Sequence, residues 1–584
     1  MVVPDKYYEL LKTNQPMFLF SPYDVEREYG KPFSYIDITK EYDSLVHNDK
    51  IKKYKINARE LEGEISKLQQ ESGYPYIVNI DTANRDNPID GMITMSNLCV
   101  HGETKILTKN GYEEIQKLAG QKVDVWNGEE WSNVLVVKTN TNQKLLQIKT
   151  DSGHEIKTTL YHKFYTDEGV EVRAGDLKVG QKLITPELLP NLDNNDTSSP
   201  YNGENPVVIS VEEVDGLHDT FCFNEPKRHM GMFNGLLTGN CSEILQVQKP
   251  SKLNPDLSYD EIGMDISCNL GSLNAVNLLE SEDFELTVNT SVRALSRVSE
   301  ITKIEQVPTV KQANDSYHSI GLGMMNLATA FAINKMHYGS PESIELTDAL
   351  FRTVRFYGLK ASNEIARETG IKFFEFEKSK YADGSYLSKK YIDVDEFEFK
   401  YESAKNAFKN VKVPTIEDWK QLNEDIMKYG LYNSVIMAVA PNGSIGYVSD
   451  ASASIHPIIN RIENRQEGKI GSVYYPTPYL SNETLPYLKS AYDIDMRKVV
   501  DVYAAAQQHV DQGLSLTLFF RSDYTGFDCP YEWKDKNQPK LTTRDLNKIR
   551  NYAWTKGIKS IYYIRQFTGG NDRQSINECE SCVI

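Results

Sequence analysis

The sequence predicts an α/β enzyme that is interrupted by a compact all-β module. Segments with helical spacing and buried strand-like runs are mixed in residues 1–98 and again from residue 241 onward. Between them, residues 100–223 contain short β-like runs separated by turn residues, with almost no helical periodicity. The boundaries are marked by a near-repeat, because "SNLC" ends the first part at Cys99 and "CSEI" resumes it at Cys241.

Individual segments of the two outer parts support this division. "INARELEGEISKLQQ" has the spacing of an amphipathic helix, and "SGYPYIVNID" indicates a strand that enters a loop. "SIGLGMMNLATAFAI" and "RKVVDVYAAAQQHV" are typical of buried helices, whereas "GLSLTLFF" and "IKSIYYIR" are typical of buried strands. The final "GGNDRQSINECESCVI" predicts a mobile tail.

The central part is predicted to be β-rich throughout. Its strand candidates are "QKVDVWNG", "SNVLVVKT", "KLLQIKT", "HEIKTTL", "PVVISVEEV" and "TFCFNE". Residues 188–206 are polar and rich in breakers, which predicts a flexible loop. We therefore predict an inserted module at 99–240 between host parts at 1–98 and 241–584.

Composition limits the classes of function. A formal net charge of −17 over 584 residues argues against broad binding of nucleic acid or anionic membranes. No apolar run approaches the roughly 20 residues of a membrane span, and the N-terminal stretch lacks the apolar core of a signal peptide. Seven cysteines in so long a chain do not indicate a disulfide scaffold, so we expect a reducing, cytoplasmic location.

The two ends of the module carry residues that can rearrange a peptide bond. The Cys99 thiol can attack the carbonyl of Leu98 and convert the amide into a thioester, and Cys241 can then take over the acyl group. The side-chain amide of Asn240 can attack its own carbonyl, which cuts the chain and leaves a succinimide. An S-to-N shift then joins Leu98 to Cys241 without an external cofactor.

The amide that must be attacked is a poor electrophile and needs donors and acid–base catalysis. Thr159 and His162 form a T-x-x-H pattern, and Asp219 and His229 shortly precede the exit junction. Each pattern alone is usually chance. In this order, on a β-rich segment with a cysteine at each junction, they resemble the sequence blocks of an intein.

The resemblance covers all of 99–240 and implies a hedgehog/intein (Hint) fold. With 142 residues and no homing-endonuclease motif, the module resembles a mini-intein. Gly239 departs from the family, which usually has a histidine before the terminal asparagine. We therefore expect slow cyclisation of Asn240, unless His229 or a water molecule supplies the missing donor.

Deleting the module brings three polar side chains onto one short loop. The joined sequence "GMITMSNLCSEILQVQKPS" places Asn97, Cys241 and Glu243 together. A thiol beside a carboxylate and an amide suits proton-coupled redox or radical chemistry, although a buried structural cysteine beside a capping glutamate would give the same pattern.

Four further features of the host carry possible chemistry. Cys268 lies in "ISCNLGSLNAVNL", and a Gly/Ser turn at 441–445 suits a phosphate held by backbone N–H groups. The adjacent Tyr562 and Tyr563 are either ordinary core or a radical relay. The terminal "ECESCVI" suits thiol–disulfide exchange, and as half a zinc site it lacks a second pair.

Together these features resemble the large (α) subunit of class I ribonucleotide reductase. "LFSPYDVEREYGKPF" and "ESGYPYIVNIDTANRDNPIDG" are similar to class Ib in particular. The resemblance covers essentially all of 1–98 and 241–584. It implies part of a ten-stranded α/β barrel, with the radical cysteine on a central finger loop.

The resemblance also implies roles for single residues. Cys241 would carry the thiyl radical that removes the ribose 3′ hydrogen, and Glu243 would be the base at the 3′ hydroxyl. Asn97 would hydrogen-bond the substrate, and Cys268 would be one of two cysteines that reduce the 2′ position. Further substrate contacts are implied for Leu98, Ser242, Pro441, Asn442, Gly443, Ser444 and Ile445.

The implied partners are those of a class I enzyme. Tyr562 and Tyr563 would pass a radical inward from a small β subunit with a dimetal-tyrosyl centre. Cys579 and Cys582 would pass electrons from a thioredoxin- or glutaredoxin-like protein to the active-site disulfide. We expect ribonucleoside diphosphates as substrates, an α2β2 assembly, and no metal or cofactor bound directly by this chain.

Family members have a long region before "LFSPYDVE" that this sequence does not contain. That region carries the first half of the barrel, the redox partner of Cys268 and the nucleotide-effector site. Either the gene is split or Met1 is a misplaced start. We expect that a separately encoded N-terminal part completes the enzyme and that this chain alone does not reduce ribonucleotides.

Two other functions fit parts of the sequence. A decayed reductase fragment could retain only autocatalytic splicing, but the intact Asn97, Glu243, tyrosine pair and CxxC tail argue against decay. A stand-alone thiol oxidoreductase could use the CxxC tail, but the tail lacks a thioredoxin-like βαβ context.

Overall fold

The computed structural model describes the chain except for residues 73–74, 95–99, 102–104, 110, 119–120, 127–130, 144–145, 152–154, 159–162, 166–170, 174–178, 184–206, 214–217, 224–230, 234–235, 239–242, 255–258, 303–307, 468–470, 536 and 568–584. In chain order, the described strands are β1 (Val2–Val3), β2 (Pro16–Phe20), β3 (Lys53–Asn57), β4 (Ile77–Asn79), β5 (Val100–His101), β6 (Lys105–Thr108), β7 (Gly111–Glu114), β8 (Lys122–Trp126), β9 (Trp131–Gln143), β10 (Leu146–Thr150), β11 (Glu155–Thr158), β12 (Lys163–Tyr165), β13 (Glu171–Arg173), β14 (Val208–Glu213), β15 (His218–Phe223), β16 (Gly231–Phe233), β17 (Leu236–Thr238), β18 (Lys252–Leu253), β19 (Tyr259–Glu261), β20 (Leu270–Asn274), β21 (Gly321–Met325), β22 (Ile462–Glu467), β23 (Gly471–Pro476), β24 (Leu516–Arg521) and β25 (Ser560–Phe567).

The described helices are α1 (Asp5–Thr13), α2 (Pro22–Tyr29), α3 (Ile38–His47), α4 (Ala58–Ser72), α5 (Ile80–Arg85), α6 (Ala275–Glu280), α7 (Phe284–Ile301), α8 (Pro308–Tyr317), α9 (Leu327–Ile333), α10 (Pro341–Thr369), α11 (Ser385–Leu387), α12 (Glu402–Ala407), α13 (Ile416–Tyr429), α14 (Gly443–Val448), α15 (Met496–Gln507) and α16 (Thr543–Thr555). No helix in the described part of the chain is long and apolar enough to cross a membrane.

A series of hydrogen-bonded strands, called here the strand wall, organises the host. Its first four strands form a sheet in the order β1–β4–β25–β24, in which β24 and β25 are parallel. Residues 435–440 continue the wall, through a parallel bridge between Val439 and Leu514 on one side and a 2.7 Å bond from Leu322 N to Ile436 O on the other. β21 and β20 follow as a parallel pair. The described strands do not close into a barrel.

The long helix α10 passes through the host core and is tied to this wall. It begins after Ser340 with proline at its first position and ends at Gly370, whose φ is 72°. The buried Arg355 guanidinium donates to Asp511 at 2.5 Å, and the same carboxylate accepts the backbone N–H groups of Ile436 and Met437 at 2.9 and 2.8 Å. A buried charge pair with these additional bonds holds the middle strand of the wall in place.

The inserted part is a separate set of antiparallel strands. Within the described residues, β5–β17 pair only with one another. β9 lies between β8 and β15 in the larger sheet, and β12 and β13 form a two-stranded ladder. β6 near the start of the insert pairs with β16 near its end, where Ile106 lies opposite Phe233. The first and last described parts of this segment are therefore neighbours.

The two host parts meet where the chain enters and leaves the insert. Met92 and Gln248 form an antiparallel bridge, with a 3.0 Å bond from Gln248 N to Met92 O. Ile93 and Leu245 share one apolar cluster. Residues on either side of the insert therefore belong to one core.

Most predicted elements are confirmed. Each β-like run named for the insert overlaps a strand, and the helix predicted near residues 56–70 is α4. The prediction of one buried helix over residues 319–333 is wrong in its first half, because β21 occupies 321–325 before α9 begins. Asn326, in the left-handed conformation with φ 67°, separates the two elements. The predicted loop at 188–206 and the C-terminal tail lie outside the described residues.

Candidate active site

A buried loop carries the predicted base. Residues 243–248, called here the Glu243 loop, lie against the strand wall, where the Gly513 N–H donates to the Glu243 carbonyl at 3.0 Å. A Cβ atom at position 513 would lie 2.9 Å from that carbonyl oxygen, so glycine permits the close approach. The Glu243 side chain is 1% exposed and accepts a 3.3 Å hydrogen bond from the Ser515 hydroxyl.

The Glu243 loop is bonded to the segment that carries Cys268. The Gln246 side chain donates to the Ser267 carbonyl at 2.7 Å and accepts from the Ser267 N–H at 2.9 Å. Its Nε2 also lies 3.1 Å from the side-chain oxygen of Gln512. Cys268 packs against a cluster that contains Ile244. The structure therefore brings the loop of the predicted base and the predicted redox cysteine into contact.

A partly buried carboxyl group lies beside the same segment. Asp265 precedes Cys268 by three residues, accepts the Ile266 N–H at 2.8 Å and is hydrogen-bonded by the Gln248 side chain. Burial raises the pKa of Asp265, and the two hydrogen bonds lower it by less. This carboxyl therefore sits in a dry environment that also contains the end of the Glu243 loop.

The predicted phosphate turn is anchored at the end of the wall. Asn442 has φ 59° and accepts a 3.0 Å hydrogen bond from the Ser272 hydroxyl. Its Nδ2 donates to the Met324 carbonyl at 3.2 Å. Gly443 then begins the short helix α14, and Ile445 is 47% exposed. The turn is thus fixed to β20 and β21 while its outer side faces solvent.

The tyrosine pair lies in β25 with an irregularity at its first member. β24 and β25 pair Leu516 with Ile561 and then Thr517 with Tyr563, so Tyr562 is an extra residue in the ladder. An irregularity of this kind re-aims side chains that would otherwise point to opposite faces. Tyr562 and Tyr563 are both buried, and the Tyr562 ring centroid lies 4.6 Å from that of Tyr76.

The side chains of the remaining predicted site residues lie outside the described part of the chain. Asp219 lies in β15 and Ser444 in α14, but their side chains are outside the described part of the chain. Also outside the described residues are Asn97, Leu98, Cys99, Thr159, His162, His229, Asn240, Cys241, Ser242, Cys579 and Cys582. Among the residues that are described, no cluster of three or more His, Cys, Asp or Glu side chains is arranged to hold a metal ion.

Sequence reasoning missed the polar residues that support the site. Gln246 and Gln248 alternate with the buried Leu245 and Val247, and this period of two in "EILQVQ" is a signal that could have identified a polar face. Ser515 carried no such signal, because its partner Glu243 lies 272 residues away in the chain.

A comparison of the sequence with known families identifies the family of this chain. The strand wall, the Glu243 loop and the nearby Cys268 are consistent with the result. The chain belongs to the ribonucleotide reductase family, since the family model described as "Ribonucleotide reductase, barrel domain" matches residues 1–564.

Individual relatives are ribonucleoside-diphosphate reductase α subunits. The chain is 29% identical to the NrdEB subunit alpha of Bacillus subtilis over 830 aligned positions, which cover 100% of this chain and 74% of the relative. It is 33% identical to the subunit alpha of Mycoplasma pneumoniae and 32% identical to a second subunit alpha of Bacillus subtilis. The whole chain is aligned in both cases, but it spans only 60% of the length of each of these two relatives.

Proposed function

We propose that this chain contributes the radical site of a ribonucleoside-diphosphate reductase α subunit and that it is made as a self-splicing precursor. The observation that carries the reductase part is the buried Glu243 carboxylate on a loop that is hydrogen-bonded to the Cys268 segment. Family membership and the printed names of the relatives support the same activity.

The proposed chemistry uses Cys241, which precedes Glu243 by two residues and is therefore within about 7 Å of it along the chain. A thiyl radical on Cys241 removes the 3′ hydrogen of the ribose, while Glu243 takes the 3′ hydroxyl proton. The 2′ hydroxyl leaves as water, Cys268 and a second cysteine are oxidised to a disulfide, and Cys241 returns the hydrogen atom to C3′. One ribonucleoside diphosphate and two thiols thus give one deoxyribonucleoside diphosphate, one disulfide and water.

The Glu243 environment suits this role. A buried carboxylate with a hydroxyl donor keeps a fixed position and has few competing water molecules. The turn at 441–445 would hold the diphosphate, because Asn442 fixes its backbone to β20 and β21. Asn97, Leu98 and Ser242 would complete the substrate contacts.

Electrons and the radical would come from partner proteins. We propose that Tyr562 and Tyr563 receive the radical from a dimetal-tyrosyl β subunit, and that Cys579 and Cys582 receive electrons from a thioredoxin- or glutaredoxin-like protein. The chain spans 60% of the length of two of these relatives, so these partner interactions are proposed for the whole α subunit.

The self-splicing part rests on the arrangement of the insert. Its described strands pair only with one another, its first and last parts are adjacent, and the host residues on either side are in contact. These features are expected of an inserted domain whose ends lie close together. The alignment with the NrdEB relative spans 246 positions more than the 584 residues of this chain. That relative therefore has 246 residues without a counterpart in this chain, a total that is as large as a domain.

The splicing steps conserve all atoms. The Cys99 thiol replaces its own amide nitrogen at the Leu98 carbonyl, and the Cys241 thiol then displaces the Cys99 thiol. Asn240 cyclises and releases the amine of Cys241, which attacks the Leu98 thioester to form an amide. Thr159, His162, Asp219 and His229 would supply the donors and bases of a Hint domain.

Intact-mass and peptide analysis of the purified precursor tests the splicing part. We expect a peptide that joins Leu98 directly to Cys241, and none from a Cys99→Ala variant. Because Gly239 replaces the usual histidine, the branched intermediate should accumulate and Gly239→His should accelerate ligation. General acid–base catalysis of this kind contributes about 10²- to 10⁴-fold.

The ligated α subunit, combined with a β subunit and a redoxin, should then form deoxyribonucleoside diphosphates. Glu243→Gln should abolish that turnover. Ligation without any turnover in the complete mixture would instead identify a decayed host that retains only splicing, and failure to form the joined peptide would reject splicing.

A further inference from the structure

The two host segments next to the insert are joined by side-chain hydrogen bonds as well as by a backbone bridge. The Gln248 side-chain oxygen accepts from the Thr94 N–H at 3.1 Å and from the Thr94 hydroxyl at 2.5 Å. Both residues are buried. The two residues are 154 positions apart in the precursor. Their contact therefore requires that the host folds while the insert is still present.

Each half of this contact is held in place by its own surroundings. Asn84 brackets Ile93, accepting from its N–H and donating to its carbonyl, both at 2.9 Å. Gln248 is hydrogen-bonded on its other side to the partly buried Asp265. The Thr94–Gln248 contact therefore joins two rigid segments.

The two segments are also closely packed next to this contact. Gly91 has φ 121°, and a Cβ atom at that position would lie 2.4 Å from a methyl carbon of Val247. Since this approach requires glycine, the segments at 91–94 and 245–248 form one close-packed unit.

We propose that Thr94 and Gln248 form a clamp that positions the Leu98 acyl group for transfer to Cys241 during splicing. This inference rests on the proposed splicing function. The clamp does not touch the reacting atoms, so Thr94 and Gln248 are positioning residues.

Only short stretches of chain connect the clamp to the two reacting residues. Leu98 follows Thr94 by four residues, so it stays within about 14 Å of the clamp, and Cys241 precedes Gln248 by seven residues, which limits it to about 25 Å. Holding both ends raises the effective concentration of the Cys241 thiol at the Leu98 thioester. Water competes for the same thioester, and its attack releases residues 1–98 as a free acid. The clamp therefore sets the ratio of ligated product to hydrolysed product.

The test measures this ratio by intact mass in the full 584-residue precursor. Gln248→Ala removes both hydrogen bonds from Thr94 and should lower the ratio about fivefold or more, since loss of a single buried hydrogen bond typically produces a change of about fivefold. Thr94→Val removes the hydroxyl at nearly constant shape and should lower the ratio in the same direction, whereas Thr94→Ser retains the hydroxyl and should preserve it.

A matched control separates positioning from general destabilisation. Gln507 is an equally buried glutamine whose side chain donates to the carbonyls of Val510 and Gln512, far from the insert in sequence. Gln507→Ala should lower host stability but leave the ratio at the wild-type value. The rate of Asn240 cyclisation should also be the same in all variants, because that step needs no second host segment.

The outcomes are distinct. An unchanged ratio in Gln248→Ala and Thr94→Val, with normal ligation in the wild type, overturns the clamp and leaves splicing intact. An equal decrease in Gln507→Ala also overturns it, because the effect would then be one of stability. A wild-type precursor that never joins Leu98 to Cys241 overturns the splicing proposal and the clamp together.

Discussion

The Ser515 hydroxyl donates a hydrogen bond to the buried Glu243 carboxylate at 3.3 Å. Ser515 lies just before β24, so the segment that leads into this strand of the wall also holds the proposed base. Removing one partner of a buried hydrogen bond typically costs about 1–3 kcal/mol. The position of Glu243 thus depends on a side chain that is distant in sequence.

Ser515→Ala should therefore lower turnover of the complete reductase about tenfold or more, with little change in KM, because the proposed base loses its donor. Steady-state formation of deoxyribonucleoside diphosphate measures this. Ser515→Thr should restore most of the activity. Ser560→Ala is a matched control, since this buried serine donates to the Leu514 carbonyl at 2.9 Å instead. Equal losses in both alanine variants would assign Ser515 a purely structural role.

Asn442→Ala should weaken nucleoside diphosphate binding. Alanine tolerates the left-handed conformation at φ 59° poorly and cannot bond to Ser272 or Met324. Asn442→Gly relieves the backbone strain but also lacks both bonds, so it should bind with intermediate affinity. Calorimetric titration of the complete α subunit with a ribonucleoside diphosphate measures this order. Wild-type affinity in both variants would exclude the turn as a phosphate site.

Tyr562→Phe should abolish turnover and leave nucleotide binding unchanged. Phenylalanine keeps the ring beside Tyr76 but lacks the phenol whose oxidation a radical relay requires. Tyr524→Phe is a suitable control, because this equally buried tyrosine donates to the Tyr531 hydroxyl and is not part of the proposed relay. Turnover near the wild-type rate in Tyr562→Phe would make the pair ordinary core.

The host should lose stability on acidification through His456. Burial lowers the pKa of this imidazole from 6.5 to about 4, and its Nδ1 lies 2.7 Å from the Pro457 carbonyl oxygen. The unfolded chain therefore takes up the proton first, so stability that is present above pH 6.5 is lost as the pH falls toward about 4. A shift of this size corresponds to about 3 kcal/mol.

Urea unfolding of the wild type and of His456→Asn between pH 7 and pH 4 measures this contribution. Asparagine can donate a similar hydrogen bond but does not titrate. The difference in unfolding free energy between the two proteins should shrink steadily as the pH falls. A difference that is independent of pH would show that His456 is not buried in its neutral form.

Local sequence patterns predicted many of the helices and strands of this fold. Contacts between residues that are distant in sequence could not be predicted in this way. The strands of the insert alternate or are bounded by turn residues, so their positions follow from the sequence. The apolar run at 319–333 has no polar face, so it has no hydrophobic periodicity that distinguishes a helix from a strand. For this reason the sequence predicts a helix where the structure has β21. Glu243 and Cys268 were found from short motifs. Ser515, which bonds to Glu243, and Gln512, which bonds to Gln246, were not, because only the folded wall brings them close.

The contact between Thr94 and Gln248 also has a consequence for the entropy of the chain. Closing it spans 154 positions in the precursor, but removal of the 142 residues from 99 to 240 leaves only 12. For a flexible chain, the longer loop would cost about 2 kcal/mol more to close. An insert that folds first, with its ends adjacent as at Ile106 and Phe233, removes most of this cost. Since the ribosome delivers the insert before residue 243, its early folding would determine how fast the two halves of the host find each other.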